Sequence, residues 1–236
     1  MSSGFKFHIS YSEADAKRVL FFLLGLDMFF VMSYCLVRII LPEFRWGPIP
    51  VLLDVDRETS IPTWFSSLQL FAVGLLLILI ARSAKQLKAY LFLLGLGFMF
   101  LSMDETAAVH EKITDSARRL NLEWLLPLTF TGNHGAWIIP YIVIGLALVL
   151  VGYRPLFLIW SNFRREAMFV AIGMALFGIG GIGLEILSFY FESASPDKAY
   201  LWAVAGEEFF EMAGVSVVLY AFMLLGVKIQ NKSVTK

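Results

Sequence analysis

The chain has 236 residues with 19 Lys and Arg against 19 Asp and Glu, and 58% of its residues are hydrophobic. Mean hydropathy is +0.74, far above an ordinary globular domain, and the apolar residues gather in long runs, which excludes a conventional water-soluble fold. A net charge of zero leaves no nucleic-acid footprint, and a single cysteine, Cys35, excludes an intrachain disulfide.

A helix needs ~20 mostly apolar residues to cross ~30 Å of hydrocarbon. Six runs meet or approach that length: about 19–41, 63–81, 88–110, 135–152, 167–190 and 204–227. None alternates as barrel strands do, and backbone groups in lipid must be satisfied within the segment. The expectation is an all-α, polytopic bundle of six transmembrane helices forming one domain over 1–236. The first run is too long for a signal-peptide core and is followed by Arg38, Pro42 and Glu43, so it reads as a retained span. Of the 19 Lys and Arg, twelve fall on the side holding both termini, Arg82 and Arg164 among them. This bias predicts cytoplasmic termini in a cell (inner) membrane.

In the first span Asp27 stands near the middle. Before the second, Asp54, Asp56 and Glu58 alternate along a loop expected to be solvated at Asp54 and Asp56. Thr59 or Ser60 is positioned to cap the helix, Pro62 suits its first turn and Trp64 the membrane interface. The third span ends in Asp104, Glu105, His110 and Glu111. At 1.5 Å rise per residue, Asp104 lies ~22 Å and, in the fifth span, Glu185 ~27 Å from the cytoplasmic starts of their helices. Glu207, Glu208 and Glu211 open the sixth span from the other side, and His134 begins the fourth. Separate segments thus bring acids to one depth, in the extracytoplasmic leaflet.

On an unbroken helix Asp104, Ala108, Glu111 and Asp115 make one narrow stripe, whereas His110 sits ~120° from Asp104. Aiming both at one point requires a distortion. The run Gly178 to Gly183 follows no strand and lies in a span, so it reads as a close helix–helix contact and not as a dinucleotide fingerprint. Glu-x-x-His, His-Glu-x-x-His, Walker A and Gly-x-Ser-x-Gly are all missing.

Ionisable groups inside spans are costly and normally face a protein interior, a partner or an ion. The candidate ligands of a divalent metal ion are therefore Asp104, His110, Glu111, Glu185, Glu207 and Glu211, with Glu208 and Glu105 as candidate general bases. Glu58, Asp27 and His134 are further candidates. Carboxylates with an imidazole suit Zn, Mn, Fe or Ca. A site opening between helices in the outer leaflet favours a metal-dependent hydrolase acting on a lipid-like or periplasmic substrate. The alternatives are a proton- or cation-coupled transporter or ion sensor using the same acids, and a structural or assembly role.

Three stretches together, Glu58-Thr-Ser-Ile-Pro-Thr-Trp-Phe-Ser-Ser67, Leu101-Ser-Met-Asp-Glu-Thr-Ala-Ala-Val-His-Glu111 and Glu207-Glu-Phe-Phe-Glu-Met212, resemble a group of uncharacterised bacterial multispan proteins. The resemblance implies that the three form one constellation and supplies no substrate. Intramembrane zinc hydrolases of the ceramidase and progestin-receptor type are a looser comparison, since their late His-x-x-x-His is missing here.

Overall fold

The structure is a computed structural model that describes residues 11–44, 47–122, 135–194 and 198–234. Among these the chain is helical without strands. In order come α1 (Glu13–Tyr34, continued as a π-helix over Cys35–Ile40), α2 (Pro48–Leu52), α3 (Ile61–Ala81), α4 (Lys88–Ala107) and α5 (Val109–Arg119). Then follow α6 (Ile138–Val151), α7 (Tyr153–Asn162) and α8 (Arg164–Gly178), which runs through a π-helical segment Ile179–Leu184 into α9 (Glu185–Ala194). The last is α10 (Lys198–Val234).

Five helical stretches are long and apolar enough to cross a membrane: Glu13–Ile40, Ile61–Ala81, Lys88–Ala107, Arg164–Glu192 and Lys198–Asn231. A sixth exists if Ile138–Val151 and Tyr153–Asn162, bent 67° from one another, form a single broken span. The expected fourth span thus begins at Ile138 and stops at Val151, and α6 alone extends only ~21 Å at 1.5 Å per residue. The bend has a covalent cause. Pro155 has no N–H to offer the carbonyl of Val151, and its ring crowds that carbonyl. Gly152, pressed against the Tyr90 ring where no side chain fits, takes the turn.

α10 is the axis of the bundle, packed against α1, α3, α8 and α9. In its most apolar window 72% of residues are buried, against 11% for Arg164–Glu192. The main core joins Leu70, Val73 and Leu77 of α3, Leu91 of α4, and Val215, Val218 and Leu225 of α10. Backbones come closest at paired glycines. A Cβ on Gly74 would stand 2.8 Å from the Gly95 carbonyl oxygen, and one on Gly173 2.7 Å from that of Gly214. The outer faces carry Phe21, Phe22, Phe29 and Met32 of α1 and Val143, Leu146 and Leu150 of α6, as a lipid-facing surface requires. Ser60 caps α3, its hydroxyl accepting from the Thr63 N–H.

Two expectations about local structure fail. The third span ends at Ala107, not at residue 110: Ala108 adopts φ 48°, ψ 48° and α5 departs on a new axis. The stripe Asp104–Ala108–Glu111–Asp115 is therefore broken. The loop before α3 is not solvated at Asp54, which is 4% exposed and paired with Arg38 (3.0 Å) and Arg57 (3.4 Å). Asp56 accepts from the Tyr200 hydroxyl at 2.9 Å, pinning this loop to the start of α10.

Candidate functional site

The left-handed turn at Ala108 organises the site. For a residue with a Cβ this conformation costs ~1–2 kcal/mol, and the start of α5 presents N–H groups without helical partners. The Asp104 carboxylate meets both demands, its Oδ1 accepting from the His110 backbone N–H at 2.8 Å. The same oxygen lies 3.2 Å from His110 Nδ1, and Oδ2 accepts from the Tyr141 hydroxyl at 2.8 Å. Lys112 reaches back to donate to the Ala107 carbonyl. A hydrogen bond to charged Asp104 is worth ~1.5–3 kcal/mol, enough to offset the turn.

His110 is consequently fixed by three contacts: Asp104 at its backbone, Asp104 again at its ring, and the Trp137 ring edge-on at 5.5 Å between centroids. With Nδ1 engaged by a carboxylate, Nε2 is left to face a ligand. Glu58, His110 and Glu111 each bring a ligand atom to within 4.8 Å of the other two. Among the described residues this is the group that satisfies metal-ligand proximity; Asp104, Glu105, Glu185, Glu207, Glu208 and Glu211 do not form a second such group.

Those acids nevertheless gather behind the trio. Glu105 takes a hydrogen bond from Ser66 and feels the charges of Glu58, His110 and Asp104. Glu208 feels Glu105, Glu207 and Glu58; Glu211 feels Glu105, Glu208, Glu207 and Glu185. Trp137 Nε1 donates to Glu185 Oε1 at 3.1 Å. The Ser188 hydroxyl donates to the Glu185 carbonyl at 2.8 Å and reaches Glu207. Glu207 Oε2 is buried with no hydrogen-bond partner. Glu211 of α10 packs against the π-helical segment: a Cβ on Gly181 would fall 2.7 Å from its Oε1, and one on Gly180 2.7 Å from its Cγ. Such segments, which open the backbone by one residue, recur at functional sites.

Among the ion pairs of the described residues none reaches Glu105, Glu185, Glu207, Glu208 or Glu211. Arg38 is held by Asp54 and Asp56. His110 is the cation of the cluster. Burial acts to lower its pKa, but the Asp104 hydrogen bond and the charges of Asp104, Glu185 and Glu58 carry it up to about 9. Partial desolvation and then the Glu111 charge hold the Glu58 carboxyl above its ordinary range.

Asp27 stands apart from this layer, bonded to Gln69 and Ser216 in the core. His134 lies outside the described residues. Sequence reasoning missed Tyr141, Trp137, Ser66 and Ser188. The aromatics read as span and interface residues and the serines as small helix-contact residues, so neither carries a sequence signal of its own.

No curated protein and no solved structure matches the chain. A family model described as "Domain of unknown function (DUF8692)" matches residues 18–226, and the chain belongs to that family.

Proposed function

We propose that the protein is an integral membrane protein that binds a divalent cation through Glu58, His110 and Glu111, and that this centre serves metal-assisted hydrolysis of a lipid-like or periplasmic substrate. One observation carries the reading. Two carboxylates and an imidazole converge within 4.8 Å, and His110 Nδ1 already stands 3.2 Å from the Asp104 carboxylate, which leaves Nε2 for a cation as in carboxylate-oriented metal-ligating histidines. Three protein ligands leave coordination positions open, as catalytic centres do, and the nitrogen ligand favours Zn, Mn or Fe over Ca.

With six spans and cytoplasmic termini, the topology that the Lys and Arg distribution supports, this end of the bundle faces the outside of a cell (inner) membrane. A cation held there by Glu58, His110 and Glu111 would supply Lewis acidity and lower the pKa of a water. Glu105, whose carboxylate feels both Glu58 and His110, is the general base, and Glu208 beside it takes the proton onward. Asp104 and Tyr141 hold the histidine in register. A second reading, proton- or cation-coupled transport or ion sensing, is favoured by the acids behind the trio, which make no ion pair among the described residues and reach towards the core through Ser66.

The test is metal content. Protein purified in mild detergent without chelator is expected to carry about one Zn, Mn or Fe per chain by elemental analysis. His110→Ala and Glu111→Gln should each weaken rebinding to the stripped protein at least about tenfold, a loss of about 1.4 kcal/mol or more. Stripped wild type that rebinds none of the three metals, or variants that bind as tightly as wild type, would overturn the proposal.

A further inference from the structure

Asp27 stands at the midpoint of the 28-residue span Glu13–Ile40 and is 0% exposed. Its carboxylate meets two side chains from two other helices. Gln69 Nε2 of α3 donates to Oδ1 at 2.9 Å, and the Ser216 hydroxyl of α10 donates to Oδ2 at 2.8 Å. Gln69 Nε2 also donates to Ser216 Oγ at 2.9 Å, closing a ring of three side chains. Gln69 and Ser216 are 2% and 0% exposed. One polar atom of the ring, Gln69 Oε1, is buried and has no hydrogen-bond partner.

The charged surroundings are sparse. No Lys, Arg or His of the described residues pairs with Asp27, and Gln69 and Ser216 are the groups that act on it electrostatically. Along α10 the nearest titratable residue is Tyr220, ~6 Å along the axis from Ser216, its ring packed on Phe169; in the other direction Glu211 lies ~7–8 Å away with Glu208 a turn beyond, and along α1 Tyr34 is ~10 Å away. A metal ion does not fit the ring. Oxygens ~2.4 Å from a common cation stand ~3.4 Å apart at right angles, whereas these heavy atoms lie at hydrogen-bond separations of 2.8–2.9 Å. A proton does fit.

The amide of Gln69 is close to symmetric in shape but not in chemistry, offering two donors at one end and an acceptor at the other. With its NH2 towards Asp27, both carboxylate oxygens receive hydrogen bonds and the ring suits an ionised Asp27, leaving the amide carbonyl unpartnered. With the amide turned over, the carbonyl stands 2.9 Å from Asp27 Oδ1 and accepts from a protonated carboxyl, while Ser216 still donates to Oδ2 and the Gln69–Ser216 hydrogen bond is given up. The same cage serves both charge states through one side-chain rotation.

We propose that Asp27, Gln69 and Ser216 form a reversible proton-binding site in the core of the bundle, loaded from the acid-rich end. On loading, a hydronium ion transfers its proton to Oδ1, the O–H bond forms, a water is left, and Gln69 presents its carbonyl. Release reverses each step. Access from that end follows α3, where Ser66, bonded to Glu105, precedes Gln69 by three residues and lies on the same face. Towards the other end the bundle is sealed by Val73, Leu77 and Leu224, each 0% exposed. The inference is independent of the metal centre.

Infrared difference spectroscopy on the full-length protein in lipid nanodiscs, titrated from acid to alkaline pH, tests it. A protonated-carboxyl C=O band is expected to disappear reversibly as pH rises, to shift in D2O, and to be missing in Asp27→Asn. Ser216→Ala, which keeps the carboxyl, should move the band's frequency and so assign it even where Asp27→Asn folds poorly. Gln69→Leu should move the midpoint by about one pH unit, tenfold in proton affinity. A wild-type titration with no band sensitive to Ser216→Ala or Asp27→Asn would leave Asp27 fixed in one charge state, and the triad would be a helix–helix tie alone.

Discussion

The two ends of the bundle treat carboxylates in opposite ways. At the end where α8 begins, each acid that links elements has a basic partner. Glu166, 1% exposed, meets Lys228 at 2.7 Å and ties α8 to α10, and Glu13 meets Arg165 at 3.0 Å and ties α1 to α8. At the opposite end Glu105, Glu185, Glu207, Glu208 and Glu211 crowd together with His110 as their cation. Paired charges of the first kind are fasteners. Crowded acids without an ion pair are unfavourable together when ionised and are relieved by taking up a cation or protons, which is the property the proposed site requires.

The sharpest way to break this comparison is to neutralise charge at each end and compare signs. Lys228→Met strands a buried Glu166 and should destabilise the protein by about 3 kcal/mol, the low end for a broken buried pair because Lys228 is 36% exposed. Adding Glu166→Gln should recover most of that loss. Glu208→Gln in metal-free protein should be neutral or stabilising, since it removes repulsion from Glu105 and Glu207. Thermal unfolding in detergent measures all three. A Glu208→Gln penalty as large as that of Lys228→Met would mean that the acid-rich end is a structural network too.

A smaller effect separates packing from chemistry at the π-helical segment. A Cβ at position 180 would meet the Glu207 carbonyl oxygen at 2.7 Å and the Glu211 nitrogen at 2.9 Å, backbone atoms that move only if the helices part. Gly180→Ala should cost about 1–3 kcal/mol as overpacking does. At position 181 the first atom met is Glu211 Oε1, the end of a flexible side chain. Gly181→Ala should therefore cost little stability and move the Glu211 carboxyl. Equal melting losses in the two variants would remove the distinction.

Much of this architecture is legible in the chain, because long apolar runs with acids at their ends are dictated by the cost of charge in lipid. Ser60 at the start of α3 is legible too, as a capping residue in the expected place. The need for a distortion between Asp104 and His110 follows from helical spacing alone. Its location does not. Ala108 carries none of the signals of a left-handed residue, since neither glycine nor asparagine stands there, and the turn is held by side chains on either side of it, Asp104 on the His110 N–H and Lys112 on the Ala107 carbonyl. The bend after Val151 had a local signal in Gly152 and Pro155, which the apolar run masks. Asp54 reads as a loop acid because its partner Arg38 lies sixteen residues away and only folding joins them. Ser66, Ser188 and Ser216 look like helix-packing residues until a carboxylate is seen beside each.

The last predicted effect is the most specific to His110. Its pKa stands at about 9 against an ordinary 6.5. Protonation is therefore stronger in the folded protein than in the unfolded chain, and the contribution to stability is present in full below about pH 6.5 and lost as pH rises through about 9. In stripped protein the melting temperature should decline across that window, and His110→Gln should flatten the decline. Loading with Zn should reverse the slope, because a metal at the proposed site would need the Nε2 lone pair and compete with the proton. Metal affinity should rise with pH up to about 9 and level off above it. A metal-loaded protein whose melting temperature fell with pH in parallel with the stripped one would show that the ion, wherever it binds, does not bind at His110.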